Sequence, residues 1–213
     1  MPSTVVHLAF AGILAAAVLG DAFSRRSLAV VFAVVIFADL DVFVGLAVPG
    51  AHRAAFHTLL LPAVAAGFLY YDLRRDRPWL TGRFGGQAPR VAGVSLIAFT
   101  FAAVGLDLFT TWGANPFYPL HNQFYSVGGT LEYSTQRGLV QTFVEIGGDP
   151  VGDGTGTQAL GTTENYHVNS GVDPTAGREP KTVDRVFPVA QSGWQLLLVL
   201  TSPVVLWARA RQN

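Results

Sequence analysis

Apolar positions in this chain are bunched into long, nearly uncharged runs at 4–20, 27–38 (continuing as 42–48), 55–71, 91–106 and 194–208. A membrane-crossing helix needs ~17–25 predominantly apolar residues, and several runs reach that length only with their polar ends. The second does so only if the aspartates after residue 38 are taken in. The pattern predicts an all-α membrane protein of about five transmembrane helices. The first run has no basic leader, and its VLGDAF end is a poor match to a small-x-small cleavage site, so it reads as a retained helix. Trp194 and Trp207 stand near the two ends of the last run, as interfacial aromatic residues do.

The polar connections alternate in charge. Arg25 and Arg26 separate the first two runs, Arg74, Arg75, Arg77, Arg83 and Arg90 the third and fourth, and Arg209 and Arg211 end the chain. The loop 111–193 holds eight acidic and four basic residues. By the positive-inside rule, residues 21–26, 73–90 and the C-terminus face the cytoplasm. The N-terminus, the turn around Arg53 and the loop 111–193 then face out, as expected for a multi-pass protein of the plasma membrane. Residues 1–120 are expected to form a four-helix membrane core, 121–193 an extracytoplasmic loop or small subdomain, and 194–213 a final helix with a basic tail. A loop of that length should carry structure of its own. In LEYSTQRGLVQTFVEIG, Val140, Thr142, Val144 and Ile146 alternate onto one face, with Arg137-Gly138 as a turn, which predicts β structure. GGDPVGDGTGTQALGTTENYH, rich in Gly and Thr, is expected to be irregular. Its Asp149 and Asp153 do not follow a calcium-loop spacing.

Only 13% of residues are charged and the formal net charge is zero, so no basic tract recommends nucleic acid as a partner. The lipid bilayer is the expected partner, and the sequence leaves the oligomeric state open. The chain has no cysteine, which excludes disulfides and thiolate metal sites. Any metal must be held by imidazole and carboxylate, a donor set suited to zinc, manganese or iron.

The predicted topology brings such donors together. His7, Asp39, Asp41, His52, His57 and Asp107 all fall at the outer ends of helices that alternate in direction, with Arg53 among them. An aspartate at the centre of a membrane helix costs about 2.5–3.5 kcal/mol, so carboxylates recurring at one depth call for a partner. A divalent cation removes the repulsion between Asp39 and Asp41. On a continuous helix, positions i and i+2 point apart, so these two share a site only if the helix ends or unwinds there. Otherwise one is a ligand and the other orients a ligand from behind. Taken singly, His7 reads as an interfacial histidine, Asp107 as a cap or ion-pair partner, His121 as a loop residue and His167 as a solvated one. The D-x-D pair and the HRxxxH cluster are what favour a metal site.

His7 ahead of GILA, ADLD at 38–41, HRAAFH at 52–57 and GLDLFTTWGANPFYP at 105–119 resemble the membrane-bound, metal-dependent hydrolase family. Its bacterial members include an inner-membrane protein under DNA-damage control. The likeness covers residues 5–20, 36–62 and 100–120 and leaves out 121–193. Two positions depart from the family pattern: Ala38 stands where proline is usual, and Ala103 where the family has a histidine one turn before the aspartate. His121 is the candidate replacement. The resemblance implies a metal-dependent hydrolase. His7, Asp39, Asp41, His57 and Asp107 would bind one or two divalent ions, zinc or manganese first. His52 and Arg53 would be the catalytic groups, His52 as acid/base (or a further ligand) and Arg53 steadying developing charge. A site at headgroup depth points to a lipid or lipid-linked phosphoester substrate. H-E-x-x-H, G-x-S-x-G and the K-x6-R-P element of membrane lipid phosphatases are absent. The rival readings are a non-catalytic metal transporter or sensor, and a structural ion-pair network around Arg53.

Overall fold

The computed structural model describes residues 3–143, 156–177 and 182–212. It is mainly helical. Helix α1 spans Thr4–Val18, and Ser3 caps it by accepting from the Val6 amide. Helix α2, Arg25–Asp39, starts at Ser24, which accepts from the Ser27 amide in the same way. Leu40 then interrupts the helix before a short α3, Asp41–Gly45. Helix α4 is Leu60–Leu73, α5 is Trp79–Phe84 and α6 is Ala88–Ala98. The chain continues from α6 as a π-helical segment, Phe99–Gly105, and closes with α7, Leu106–Leu108. Helix α8, Gly193–Ala210, is the last element and carries Pro203 inside it.

Among the described residues, three helical stretches are long and apolar enough to cross a membrane: Arg25–Gly45, Ala88–Leu108 and Gly193–Ala210. The five spans expected from the runs are therefore shown only in part. The runs at 4–20 and 55–71 yield apolar helices of 15 and 14 residues. At 1.5 Å per residue each reaches only about 20–23 Å, short of a hydrocarbon core of about 30 Å. The third run loses its start because residues 51–59 form a turn and α4 begins at Leu60.

The main core is built from small and β-branched side chains: Ala11, Ala15, Val31, Val35, Ala98 and Ala102 are fully buried where α1, α2 and the α6–π segment meet. Gly12 lets α8 approach α1 closely, since a Cβ there would stand 2.9 Å from Ser202 Oγ and 3.1 Å from Leu206 Cδ1. The outer faces of α4 and α8 leave Phe68, Tyr70, Leu197 and Leu200 exposed, as a lipid-facing surface requires.

A small β region follows the helices. Strand β1, Phe124–Gly128, pairs antiparallel with β4, Gly156–Gly161. Strands β2, Leu131–Ser134, and β3, Gly138–Gln141, form a hairpin in which Gly138 takes a positive φ of 72° at the expected turn. Of the predicted alternating face, Val140 lies in β3 and Thr142 just beyond it, while Val144 and Ile146 lie outside the described residues. Asp149 and Asp153 lie outside them too. The Gly/Thr-rich segment was expected to be irregular, yet residues 156–161 form β4, because pairing with β1 overrides a weak local preference. A second small core of Ala54, Phe124 and Val168 ties this region to the 51–59 turn.

Candidate metal centre

The break at Leu40 positions the first carboxylates. α2 ends on Asp39 and α3 restarts on Asp41, and the two carboxylates approach opposite nitrogens of His57. The 51–59 turn brings in the HR segment. Arg53 holds a positive φ of 61°, a conformation non-glycine residues rarely adopt. The turn is pinned to the chain after α7: Asn115 donates its amide to the Arg53 carbonyl at 2.8 Å, and Leu59 donates to the Pro116 carbonyl at 2.8 Å. Gly50 packs directly against Thr163, leaving no room for a Cβ. Helix α7 supplies Asp107 just past the π-helical segment, a distortion frequent at functional sites.

These elements bring every sequence-predicted site residue to one place, in two layers. In the inner layer His7, His57 and Asp107 form a buried group whose ligand atoms lie within 4.8 Å of one another, a set able to hold a metal ion. His7 Nε2 is 3.5 Å from Asp107 Oδ1 and 4.0 Å from Asp39 Oδ1. His57 Nε2 is 3.3 Å from Asp107 Oδ2 and 3.5 Å from Asp39 Oδ1. In the outer layer, Asp41 accepts from both neighbouring imidazoles, from His52 Nδ1 at 2.9 Å and from His57 Nδ1 at 2.8 Å. Arg53 donates from Nη2 to Asp107 at 2.6 Å and from Nη1 to the Gly113 carbonyl at 3.0 Å and Thr110 at 3.3 Å.

The protonation pattern follows from these partners. His7 Nδ1 meets the Ala102 carbonyl at 2.5 Å, and a carbonyl can only accept, so Nδ1 carries a proton and Nε2 is the atom turned toward the carboxylates. Asp41 likewise draws a proton onto Nδ1 of both His57 and His52. His57 Nε2 and His52 Nε2 are buried with no hydrogen-bond partner. Two imidazole nitrogens and two carboxylates thus face one another, a donor set that could hold a metal ion. Their spacings suit such a cation, because ligands about 2.1 Å from a tetrahedral zinc stand about 3.4 Å apart.

The YdjM inner membrane protein family matches this chain over residues 1–163. The chain belongs to that family. No curated protein and no solved structure matches it. All seven predicted site residues, from His7 to Asp107, fall inside the YdjM match, and membership bears out the reading of a membrane protein.

Other candidates stand elsewhere. His121 is exposed, stacks on Tyr125 and pairs with its hydroxyl at 2.8 Å, so it does not join the cluster. Ala103, where the resemblance implies a histidine, is fully buried in the helix core. His167, expected to be solvated, is half-buried with its Nε2 3.9 Å from Asp173. Burial raises the pKa of the Tyr166 hydroxyl, opposed by Arg53, and this hydroxyl donates to the Trp112 carbonyl at 3.1 Å.

Sequence reasoning missed several supporting groups. Thr4 donates to Asp39 Oδ2 at 2.5 Å; its place one helical turn before His7 is a signal that could have found it. The Ala102 carbonyl carries no signal of side-chain type. Nor does the wall of a cavity of about 330 Å³ that opens onto the cluster, where Gly171, Val172, Phe187 and Val189 arrive from the far end of the long loop.

Proposed function

We propose that this YdjM-family protein is a membrane-embedded, metal-dependent hydrolase that works at the extracytoplasmic surface on a lipid or lipid-linked phosphoester. The observation that supports it most is the convergence of His7 Nε2 and His57 Nε2, each within 4.0 Å of both Asp39 and Asp107, beside a cavity. His7, His57, Asp107 and Asp39 would hold the ion, with zinc or manganese matching an all-N,O donor set. Such an ion supplies Lewis-acid polarisation of the scissile group and a bound water of lowered pKa. Asp41, first read as a ligand, is better cast as the residue that orients His52 and His57, since both its oxygens are occupied by their Nδ1 atoms. His52 lines the cavity with a free Nε2 lone pair and would take the proton from the attacking water and return it to the leaving oxygen. Arg53 would steady the negative charge of Asp107 and of the reacting group together.

In the same reading all five apolar helices lie in the bilayer, α1 and α4 as the short ones. The N-terminus, the 51–59 turn and the 111–193 loop face out, and the C-terminus is cytoplasmic. A reporter fused to the C-terminus tests this; finding it outside the cell would reverse the orientation.

Metal analysis of the purified chain, with His57→Ala and Asp39→Ala alongside, tests the site. The expected result is stoichiometric transition metal in the wild type and loss in both variants. A wild type without metal, or variants that match it, would remove the hydrolase. Metal retention with no turnover across phosphoester, ester and amide panels would favour a transporter or sensor.

A further inference from the structure

The charge of the site narrows what it can accept. With the imidazoles neutral, as metal ligands must be, the three carboxylates of Asp39, Asp41 and Asp107 and the guanidinium of Arg53 would be balanced by a single divalent ion. One group of three or more ligands converges among the described residues, which fits one ion. Among the described residues Arg53 is the one Lys or Arg side chain lining the cavity, and its Nη atoms are committed to Asp107, Thr110 and Gly113. Only its Nε is buried without a partner. A dianionic group would therefore meet no uncommitted Lys or Arg among the described residues of the site, whereas one anionic oxygen could use that single N–H donor.

Much of the remaining lining is apolar. It includes Val5 on the first turn of α1, Val42 in the Arg25–Gly45 span, and Val172, Phe187 and Val189 from the long loop. Val5, Phe187 and Val189 are exposed, and Val5 belongs to the apolar helix α1.

Resting on the hydrolase reading, we propose that the substrate is a phosphodiester amphiphile, with its monoanionic phosphate at the cluster and an alkyl chain along Val5, Val42, Val172, Phe187 and Val189. The oxygen of water adds to phosphorus and the P–O bond to the leaving alcohol breaks. The proton taken by His52 passes to that alcohol, leaving a phosphomonoester whose extra charge favours its release.

The test titrates the full, metal-loaded chain in detergent micelles with a dialkyl phosphate and with the monoalkyl phosphate of equal chain length. The pH is held above the second phosphate ionisation and binding is read by thermal shift. The monoalkyl phosphate should bind roughly tenfold more weakly, the order expected for one uncompensated charge in a partly buried site. A Phe187→Ser/Val189→Ser double variant, altering two exposed positions, should weaken dialkyl phosphate binding while leaving metal content unchanged. Equal or tighter binding of the monoalkyl phosphate, two ions per chain, or an indifferent rim variant would overturn the proposal while leaving the hydrolase standing. A chain that holds no metal would remove both.

Discussion

The two ends of the helix bundle carry comparable numbers of charged groups and treat them in opposite ways. At one end Arg25, Arg26, Arg74, Arg75, Arg77 and Arg83 are all exposed. At the other, His7, Asp41, Arg53, His57 and Asp107 are each no more than 1% exposed and bonded or aimed at one another. An exposed arginine is solvated where it stands and serves orientation and headgroup contact. Buried carboxylates and imidazoles lose their water and persist only if partners replace it. The contrast locates chemistry by burial rather than by charge.

The strongest way to break that contrast is to remove a buried charge. Arg53→Met leaves Asp107 buried without its cation and should cost about 3–5 kcal/mol, seen as a large drop in the thermal midpoint of the detergent-solubilised protein. If Arg53→Met melts like wild type, the buried network is not what holds this end together. Overpacking the helix contact comes next. Gly12→Val would press on Ser202 and Leu206, and a loss of about 1–3 kcal/mol is expected in the same measurement. Asp41→Asn keeps the shape but weakens the acceptor behind His52 and His57. It should lower metal affinity by roughly 10–100-fold with little change in secondary structure, as read by competition with a chelator. A drop to no binding at all would instead mark Asp41 as a ligand. At the exposed end, Arg26→Ala and Arg75→Ala should each stay within about 0.5 kcal/mol of wild type. A large effect there would show that the two ends differ less than their burial indicates.

Much of this was open to a reader of the residues. The apolar runs announced the helices, and the recurrence of His and Asp at one predicted depth announced the cluster. The need for a break between Asp39 and Asp41 was also foreseeable, since i and i+2 oppose each other on a helix, and Leu40 supplies it. Less could be read from the long loop. The Gly/Thr-rich stretch holds β4 because β1 lies beside it, and β1 itself went unpredicted. Hydropathy also overstated α4, since the irregular turn that presents His52, Arg53 and His57 consumes its first residues.

The sequence by itself determined that the chain is a bundle of apolar helices with imidazole, carboxylate and one arginine at a common level, because hydrophobic run length and side-chain type are local properties. The tertiary structure alone decided the division of labour among those groups. It turned Asp41 toward two Nδ1 atoms, committed Arg53 to Asp107, set Ala102 behind His7 and left His121 outside. The reason is directional: a ligand and the residue that orients it can be the same amino acid at neighbouring positions. Only the helix break, the positive-φ turn and the packing of distant segments fix which atom faces the centre.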